Sequence, residues 1–232
     1  KEALAQEADA ETAERGVVAY GIAQAAEMLS DQYHILITNV PYLGREHQGE
    51  KMRSFIDKNY YSARIDLATV FLSRCLELCD RVGFSATVTP QYWYFMCRYE
   101  SYRKDILAKY KWVLAVELGG GNEAFSNGPG NITTISMQVI SPNANKKRSF
   151  YGLSTDKHKN INKKKIRIKS GDLITLNQKN QGENPDSRII VENLSDFPFL
   201  FNYAKSRYGL RTADSKRFIR SFWELDKVSE IW

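Results

Sequence analysis

The chain has 232 residues, of which 43% are hydrophobic and 12% aromatic, and its formal net charge is +6 at pH 7. This length allows one large domain or one and a half ordinary ones, and the composition excludes a disordered chain. No apolar run approaches the ~20 residues needed to cross a bilayer. The start of the chain is too polar for a signal peptide, so we expect a cytoplasmic protein.

Cysteine and histidine usage argues against a metal centre. The three cysteines, Cys75, Cys79 and Cys97, are odd in number and have no disulfide-like spacing. Cys75 and Cys79 lie four positions apart in an apolar stripe, which favours buried thiols over a metal site. The three histidines (His34, His47 and His158) do not cluster, and we assign none of them to a metal or to catalysis.

In chain order, the first 30 residues are helix-prone, and an apolar run at 33–37 predicts a buried strand. A loop at 43–62 with a short helix around 52–57 comes next, then a strong helix at 63–80 with Asp66 near its start, where negative charge suits the helix dipole. The later elements are a strand at 84–90 ended by Pro90, an aromatic turn at 91–96, a helix at 99–110, and strands at 112–118, 132–140 and 148–153.

This order predicts a layered α/β sheet with an antiparallel hairpin at one edge. The character changes near residue 154, where Lys/Asn-rich loops begin. Short strands at 166–168 and 173–176 and a late helix at 197–207 suggest a second unit. We therefore expect one domain at 1–153 and the beginning of another at 154–232.

The segment Asn39-Val40-Pro41-Tyr42 follows the first predicted strand. The Asn39 side chain and the backbone carbonyl of Val40 are acceptors for an exocyclic amino group. Pro41 fixes its own φ and biases Val40 towards an extended backbone, and Tyr42 offers a ring for stacking. Such a loop can hold a nucleobase taken out of a duplex. The alternative is a simple turn, because Asn and Pro are turn formers.

A second feature is the basic stretch at 146–169, in which Asp156 is the only acidic residue. Lysine and arginine there would neutralise phosphates and make affinity fall with salt. The alternative is a solvated charged loop with no partner. The stretch contains Lys146, Lys147, Arg148, Lys157, Lys159, Lys163, Lys164, Lys165, Arg167 and Lys169.

Taken in this order, the residues resemble the amino-group (N6-adenine) DNA methyltransferases, whose shared motif Asn-Pro-Pro-Tyr stands here within "YHILITNVPYLG". The chain is most similar to large adenine-specific methyltransferases of type II restriction–modification and phage-exclusion systems. The supporting stretches are "DLATVFLSRCLEL", "GFSATVTPQYWYF" and "YRKDILAKYKWVLAVELGGGNEAF". A later stretch, "YGLRTADSKRFIRSFWEL", resembles the start of a target-recognition region. The resemblance spans about residues 30–225.

The resemblance implies that the fold is the C-terminal half of a Rossmann-like methyltransferase sheet. It also implies an enzyme that transfers a methyl group from S-adenosylmethionine to a flipped adenine in double-stranded DNA. It implies that Asn39 and Val40 accept from the adenine amino group and that Tyr42 stacks on the base. Phe125 in "GGGNEAFSN" matches the aromatic that closes the other face, although a hairpin core residue is an equal alternative. The implied DNA contacts are Lys146, Lys147, Arg148, Lys163, Lys164 and Lys165, with Arg211, Lys216, Arg217 and Arg220 as weaker candidates.

Two departures from the family pattern limit these expectations. Val40 replaces the usual proline, but only its backbone carbonyl is needed. The glycine loop that binds the cofactor precedes the motif in this family, and none is found among the 38 residues before Asn39. The Gly119-Gly120-Gly121 run leads to a hairpin and is better explained as a turn. We therefore expect a partial catalytic chain that is inactive alone.

Two alternative functions stay open at this point. The first is a non-catalytic DNA-binding or specificity fragment that needs a partner for the cofactor half. The second is an RNA or protein-glutamine methyltransferase, against which the recognition-like segment and the Asp-Leu helix argue.

The apolar strand at 33–37 would be a sheet edge, so we expect self-association there or cover by the N-terminal helix.

Overall fold

The computed structural model describes residues 2–120, 134–143, 149–158, 160–192 and 203–204. Within them, the helices are α1 (Glu2–Ser30), α2 (Glu50–Asn59), α3 (Leu67–Leu78), α4 (Glu100–Lys109), α5 (Ile161–Ser170) and α6 (Gln178–Glu183). The strands are β1 (Tyr33–Asn39), β2 (Cys79–Pro90), β3 (Lys111–Gly120), β4 (Thr134–Ser141), β5 (Ser149–Ser154) and β6 (Ile174–Asn177).

The strands form one mixed sheet in the order β1-β2-β4-β3-β5-β6. The pairs β1–β2 and β3–β5 are parallel, whereas β4 runs antiparallel to both β2 and β3 and β6 runs antiparallel to β5. The predicted α/β sheet with an antiparallel pair is confirmed. Its expected place at an edge is wrong, because β4 lies between β2 and β3 and the sheet continues through β5 and β6.

The core is rich in aromatic side chains that pack beside the central strands. The ring centroids of Trp93 and Trp112 lie 6.0 Å apart, and those of Trp112 and Phe150 lie 5.6 Å apart. Leu72 and Cys75 of α3 are also buried. Burial raises the pKa of the Cys75 thiol to about 11, so this cysteine is a small apolar core residue, as predicted.

Two predicted elements differ from the observed ones. The helix predicted at 63–80 is observed as the shorter α3 (Leu67–Leu78). The Asp66 carboxylate accepts the Ala68 amide, and this cap sets the start of the helix at Leu67. The predicted strand at 166–168 is wrong, since α5 covers these residues. The Asn160 side chain accepts the amides of Asn162 and Lys163 and so caps this helix. The predicted helix at 197–207 falls largely outside the described residues.

The edge strand β1 is not covered by α1. Every described side chain of α1, from residue 12 to residue 30, is exposed. On β1, Ile35 is 67% exposed and Ile37 is 77% exposed. The expected cover by the N-terminal helix is therefore wrong, and pairing of this edge with another chain stays a prediction.

The described residues up to 192 belong to one compact unit. β6 and α6 are part of it, and the domain boundary expected after residue 153 stays a prediction. In the part of the chain that the structure describes, no helix combines the length and the apolar character needed to span a bilayer.

Candidate functional site

The predicted loop begins where β1 ends. Asn39 is the last residue of this strand and lies opposite Val88 of the parallel strand β2. Val40 is only 3% exposed, and its amide donates to the Val88 carbonyl over 3.4 Å. Asn39 and Pro41 are exposed. The loop thus lies at the carboxyl end of the strands, where open α/β sheets place their ligands.

The structure brings Asn39 and Tyr42 into direct contact. The Tyr42 hydroxyl donates to Asn39 Oδ1 over 2.9 Å. Burial and the nearby Asp66 carboxylate raise the pKa of Tyr42, so its phenol is protonated and can donate at neutral pH. No described residue donates to the Val40 carbonyl. One of the two predicted acceptors therefore has no donor among the described residues, and the other accepts from a hydroxyl that an amino group could replace.

Main-chain hydrogen bonds tie the end of this loop to the start of α3. The Leu67 amide donates to the Leu43 carbonyl over 2.9 Å, and the Arg45 amide donates to the Ile65 carbonyl over 3.0 Å. Gly44 and Asp66 form an antiparallel bridge between the two segments. Because both segments carry paired backbone groups, the position of Tyr42 depends on the position of the α3 N-terminus.

Gly119 lies near the end of β3 and does not form part of a cofactor cradle, and Gly121 lies outside the described residues. Gly119 has a φ of 79°, which glycine adopts without strain. A Cβ at this position would meet Lys164 Nζ at 2.6 Å and Asp156 Oδ1 at 2.9 Å. The space beside Gly119 is therefore already filled by side chains of the same chain, so this glycine does not leave room for S-adenosylmethionine.

The predicted DNA contacts are only partly described. Lys163 and Lys165 are exposed on α5. Lys164 is 3% exposed, and its ammonium donates to the Leu118 carbonyl, so it supports the carboxyl end of β3. The remaining predicted site residues lie outside the described residues: Phe125, Lys146, Lys147, Arg148, Arg211, Lys216, Arg217 and Arg220. In the described ranges, no group of three or more His, Cys, Asp or Glu could hold a metal ion.

Two residues beside the loop were missed by sequence reasoning. The Asp66 carboxylate is 3% exposed and accepts the Tyr92 hydroxyl over 2.6 Å. Asp66 had a signal, because an aspartate directly before an apolar helix is a typical N-cap. No sequence signal indicated Tyr92, because its contact with Asp66 spans 26 positions and leaves no local pattern.

Comparison with known proteins shows a clear family match. Residues 2–125, more than half of the chain, match the Eco57I restriction-modification methylase family. The chain is 28% identical over 140 residues to the adenine-specific methyltransferase BrxX of Escherichia coli O9:H4 (strain HS), which is 60% of this chain and 12% of that protein. It is 26% identical over 117 residues to the adenine-specific methyltransferase PglX of Lacticaseibacillus casei (strain Zhang), covering 50% of this chain and 10% of that protein.

Solved structures show the same fold. The Type ISP restriction-modification enzyme LlaGI, solved as a nuclease-deletion mutant in complex with a DNA substrate mimic, superposes with a TM-score of 0.56. The match covers 72% of this chain and 19% of that enzyme at 10% sequence identity. At this identity the likeness concerns the fold alone. The match spans 12% of the length of BrxX and 10% of the length of PglX.

Proposed function

We propose that this chain, which belongs to the Eco57I restriction-modification methylase family, forms the base-binding part of a DNA adenine-N6 methyltransferase of a restriction–modification or phage-defence system. The observation that carries the proposal is the pair formed by Asn39 and Tyr42 at the carboxyl end of β1. The pair joins an amide acceptor to an aromatic ring. It is adjacent in sequence to Val40, whose carbonyl has no donor among the described residues.

The chemistry assigned to this loop is positioning. The two hydrogens of an adenine amino group would be donated to Asn39 Oδ1 and to the Val40 carbonyl. These acceptors draw electron density onto the nitrogen and hold its lone pair in one direction. The Tyr42 hydroxyl has to leave Asn39 for the base to bind, and the Tyr42 ring then stacks on the base.

S-adenosylmethionine is the methyl donor that an adenine methyltransferase requires. Since the space beside Gly119 is filled by Lys164 and Asp156, the roles proposed for this chain concern the base and the DNA. The alternative, a non-catalytic DNA-binding fragment, shares the DNA contact but predicts no methyl transfer.

Substitutions of Tyr42 test the proposal. In the complete natural protein that contains this sequence, Tyr42→Phe should keep methyl transfer within about threefold of wild type, because the ring stays and the competing hydroxyl is lost. Tyr42→Ala should lower kcat/KM at least about fivefold, since stacking of one base on an aromatic ring is worth ~1–3 kcal/mol. N6-methyladenine is counted by mass spectrometry of digested DNA.

The matched control is Tyr61→Ala, because Tyr61 is 65% exposed and its ring lies under Arg64. This variant should behave as wild type. Absence of N6-methyladenine in wild-type reactions would contradict the methyltransferase proposal. Equal losses in Tyr42→Phe and Tyr42→Ala would contradict the stacking role alone.

The exposed lysines of α5 are proposed phosphate contacts. The double variant Lys163→Gln/Lys165→Gln should weaken binding to duplex DNA and reduce the slope of log K against log [salt] by about two, one for each lost phosphate contact. Fluorescence anisotropy over a salt series measures this slope. Lys179→Gln is the control, because Lys179 is also an exposed lysine but pairs with Glu183 at 3.6 Å on α6. A slope that stays at the wild-type value in the double variant would exclude these lysines as phosphate contacts.

A further inference from the structure

The Asp66 carboxylate makes two different connections from a buried position. Its Oδ1 accepts the Ala68 amide over 2.8 Å and caps α3. Its Oδ2 accepts the Tyr92 hydroxyl over 2.6 Å, and Tyr92 lies in the turn that follows β2. An N-cap needs only one oxygen. The second oxygen therefore joins two elements that are 26 positions apart in the chain.

One side of this contact is the loop that carries Tyr42. Asp66 bridges to Gly44, two residues after Tyr42, and its neighbour Leu67 donates to the Leu43 carbonyl. The Asp66 charge also acts on Tyr42, whose pKa is raised by burial and by this carboxylate. A shift of Asp66 would therefore move the backbone on which Tyr42 is mounted.

The other side of the contact is a rigid aromatic turn. The Trp93 indole donates to Thr89 Oγ1 over 2.8 Å, and Trp93 is only 1% exposed. The Arg103 guanidinium donates to the Trp93 carbonyl over 2.7 Å and to the Met96 carbonyl over 2.8 Å. Tyr92 is thus held by a turn that the protein core fixes from two directions.

We propose that Asp66 and Tyr92 are positioning residues of the base-binding loop. Their hydrogen bond transmits the position of the aromatic turn to Gly44 and Leu43, and so sets the orientation of the Tyr42 ring relative to the Asn39 amide. Neither residue touches the base in this scheme. The inference rests on the proposed adenine methyltransferase function, and it identifies Asp66 and Tyr92 as the residues that hold its base-binding loop in place.

Tyr92→Phe tests the inference, because it removes the hydroxyl and keeps both the ring and the Asp66 cap. In the complete natural protein, kcat for methyl transfer should fall about tenfold, since small displacements of positioned groups slow chemistry strongly. KM for DNA should stay within about twofold, because the phosphate contacts are elsewhere. The kinetics are run well below the melting temperature of each variant, so that loss of folded protein does not contribute.

The control is Tyr60→Phe, which removes a hydroxyl that also donates to a carboxylate, Glu77 Oε2 at 2.9 Å, but on the outer surface of α2 and α3. It should leave kcat unchanged. Asp66→Asn should itself lower kcat, and adding Tyr92→Phe to it should change kcat less than Tyr92→Phe does alone, because the shared contact is already weakened. An unchanged kcat in Tyr92→Phe, or fully additive losses in the double variant, overturns the inference. Absence of methylation by the wild-type protein would instead overturn the proposed function.

Discussion

Asn39→Ala is expected to lower kcat for adenine methylation by about a hundredfold while KM for DNA changes little. The reason is that Asn39 Oδ1 is the side-chain acceptor of the loop, placed at the exposed end of β1. Alanine leaves the base with the Val40 carbonyl as its remaining acceptor. Single-turnover measurements with excess enzyme would show the loss in the methyl-transfer step and separate it from DNA binding.

Two further variants identify the group responsible. Asn39→Asp keeps an acceptor oxygen and should lose less activity than Asn39→Ala. Asn59→Ala removes another exposed asparagine, whose amide nitrogen donates to the Phe55 carbonyl over 2.8 Å at the end of α2, and should match wild type. If Asn39→Ala methylates at the wild-type rate, the loop is a turn without a role in the chemistry.

Local sequence patterns predicted the elements around the site because each of them carries its own signal. The apolar run before Asn39 gave β1, and the periodic apolar stripe after Asp66 gave α3. The local pattern gave the wrong element at residues 166–168, because Ile166-Arg167-Ile168 alternates between apolar and polar residues as a strand does. The Asn160 cap at the start of α5 decides for the helix, and a cap six residues upstream is easily missed in a polar stretch.

The same change of element explains the different environments of neighbouring lysines. A run of three lysines predicts one solvated surface. On a helix, successive residues are turned by about 100°, so Lys164 points to Gly119 and the protein interior while Lys163 and Lys165 are exposed. Lys164 is buried because the segment is a helix and because one face of that helix lies against β3. Neither fact can be read from the run of lysines itself.

The support of the base-binding loop could not be predicted for a related reason. The loop residues are adjacent in sequence, and their hydrogen-bonding chemistry can be inferred from residue type. The groups that hold them, Asp66, Tyr92 and Arg103, come from separate elements. Their meeting depends on the order of strands in the sheet, which places the turn after β2 beside the end of β1.

Arg103 joins two separate turns from a fully buried position. It is 0% exposed, and its guanidinium donates to four main-chain carbonyls: those of Trp93, Met96, Asp186 and Ser187. The last two residues have φ angles of 54° and 52°, a left-handed conformation that is costly for residues other than glycine. Burial lowers the pKa of Arg103, because it takes the guanidinium out of water.

Arg103→Met is expected to lower the free energy of unfolding by about 3 kcal/mol or more, because several buried carbonyls lose their donor and each unsatisfied group costs ~1–3 kcal/mol. Arg103→Lys should lower it less, since an ammonium keeps the charge but lacks the planar fork that reaches carbonyls in two directions. Urea denaturation followed by tryptophan fluorescence measures both, with Trp93 and Trp112 as buried reporters.

The control is Arg98→Met, just before α4, where the side chain is exposed and lies over the Tyr99 ring at 5.3 Å. Its denaturation curve should overlay that of wild type, because no buried carbonyl depends on it. Equal stability of Arg103→Met and wild type would show that the two turns hold their shape unaided. In the complete protein, Arg103→Met should also lower methylation at temperatures where it stays folded, because loss of the Trp93 and Met96 contacts loosens the turn that carries Tyr92.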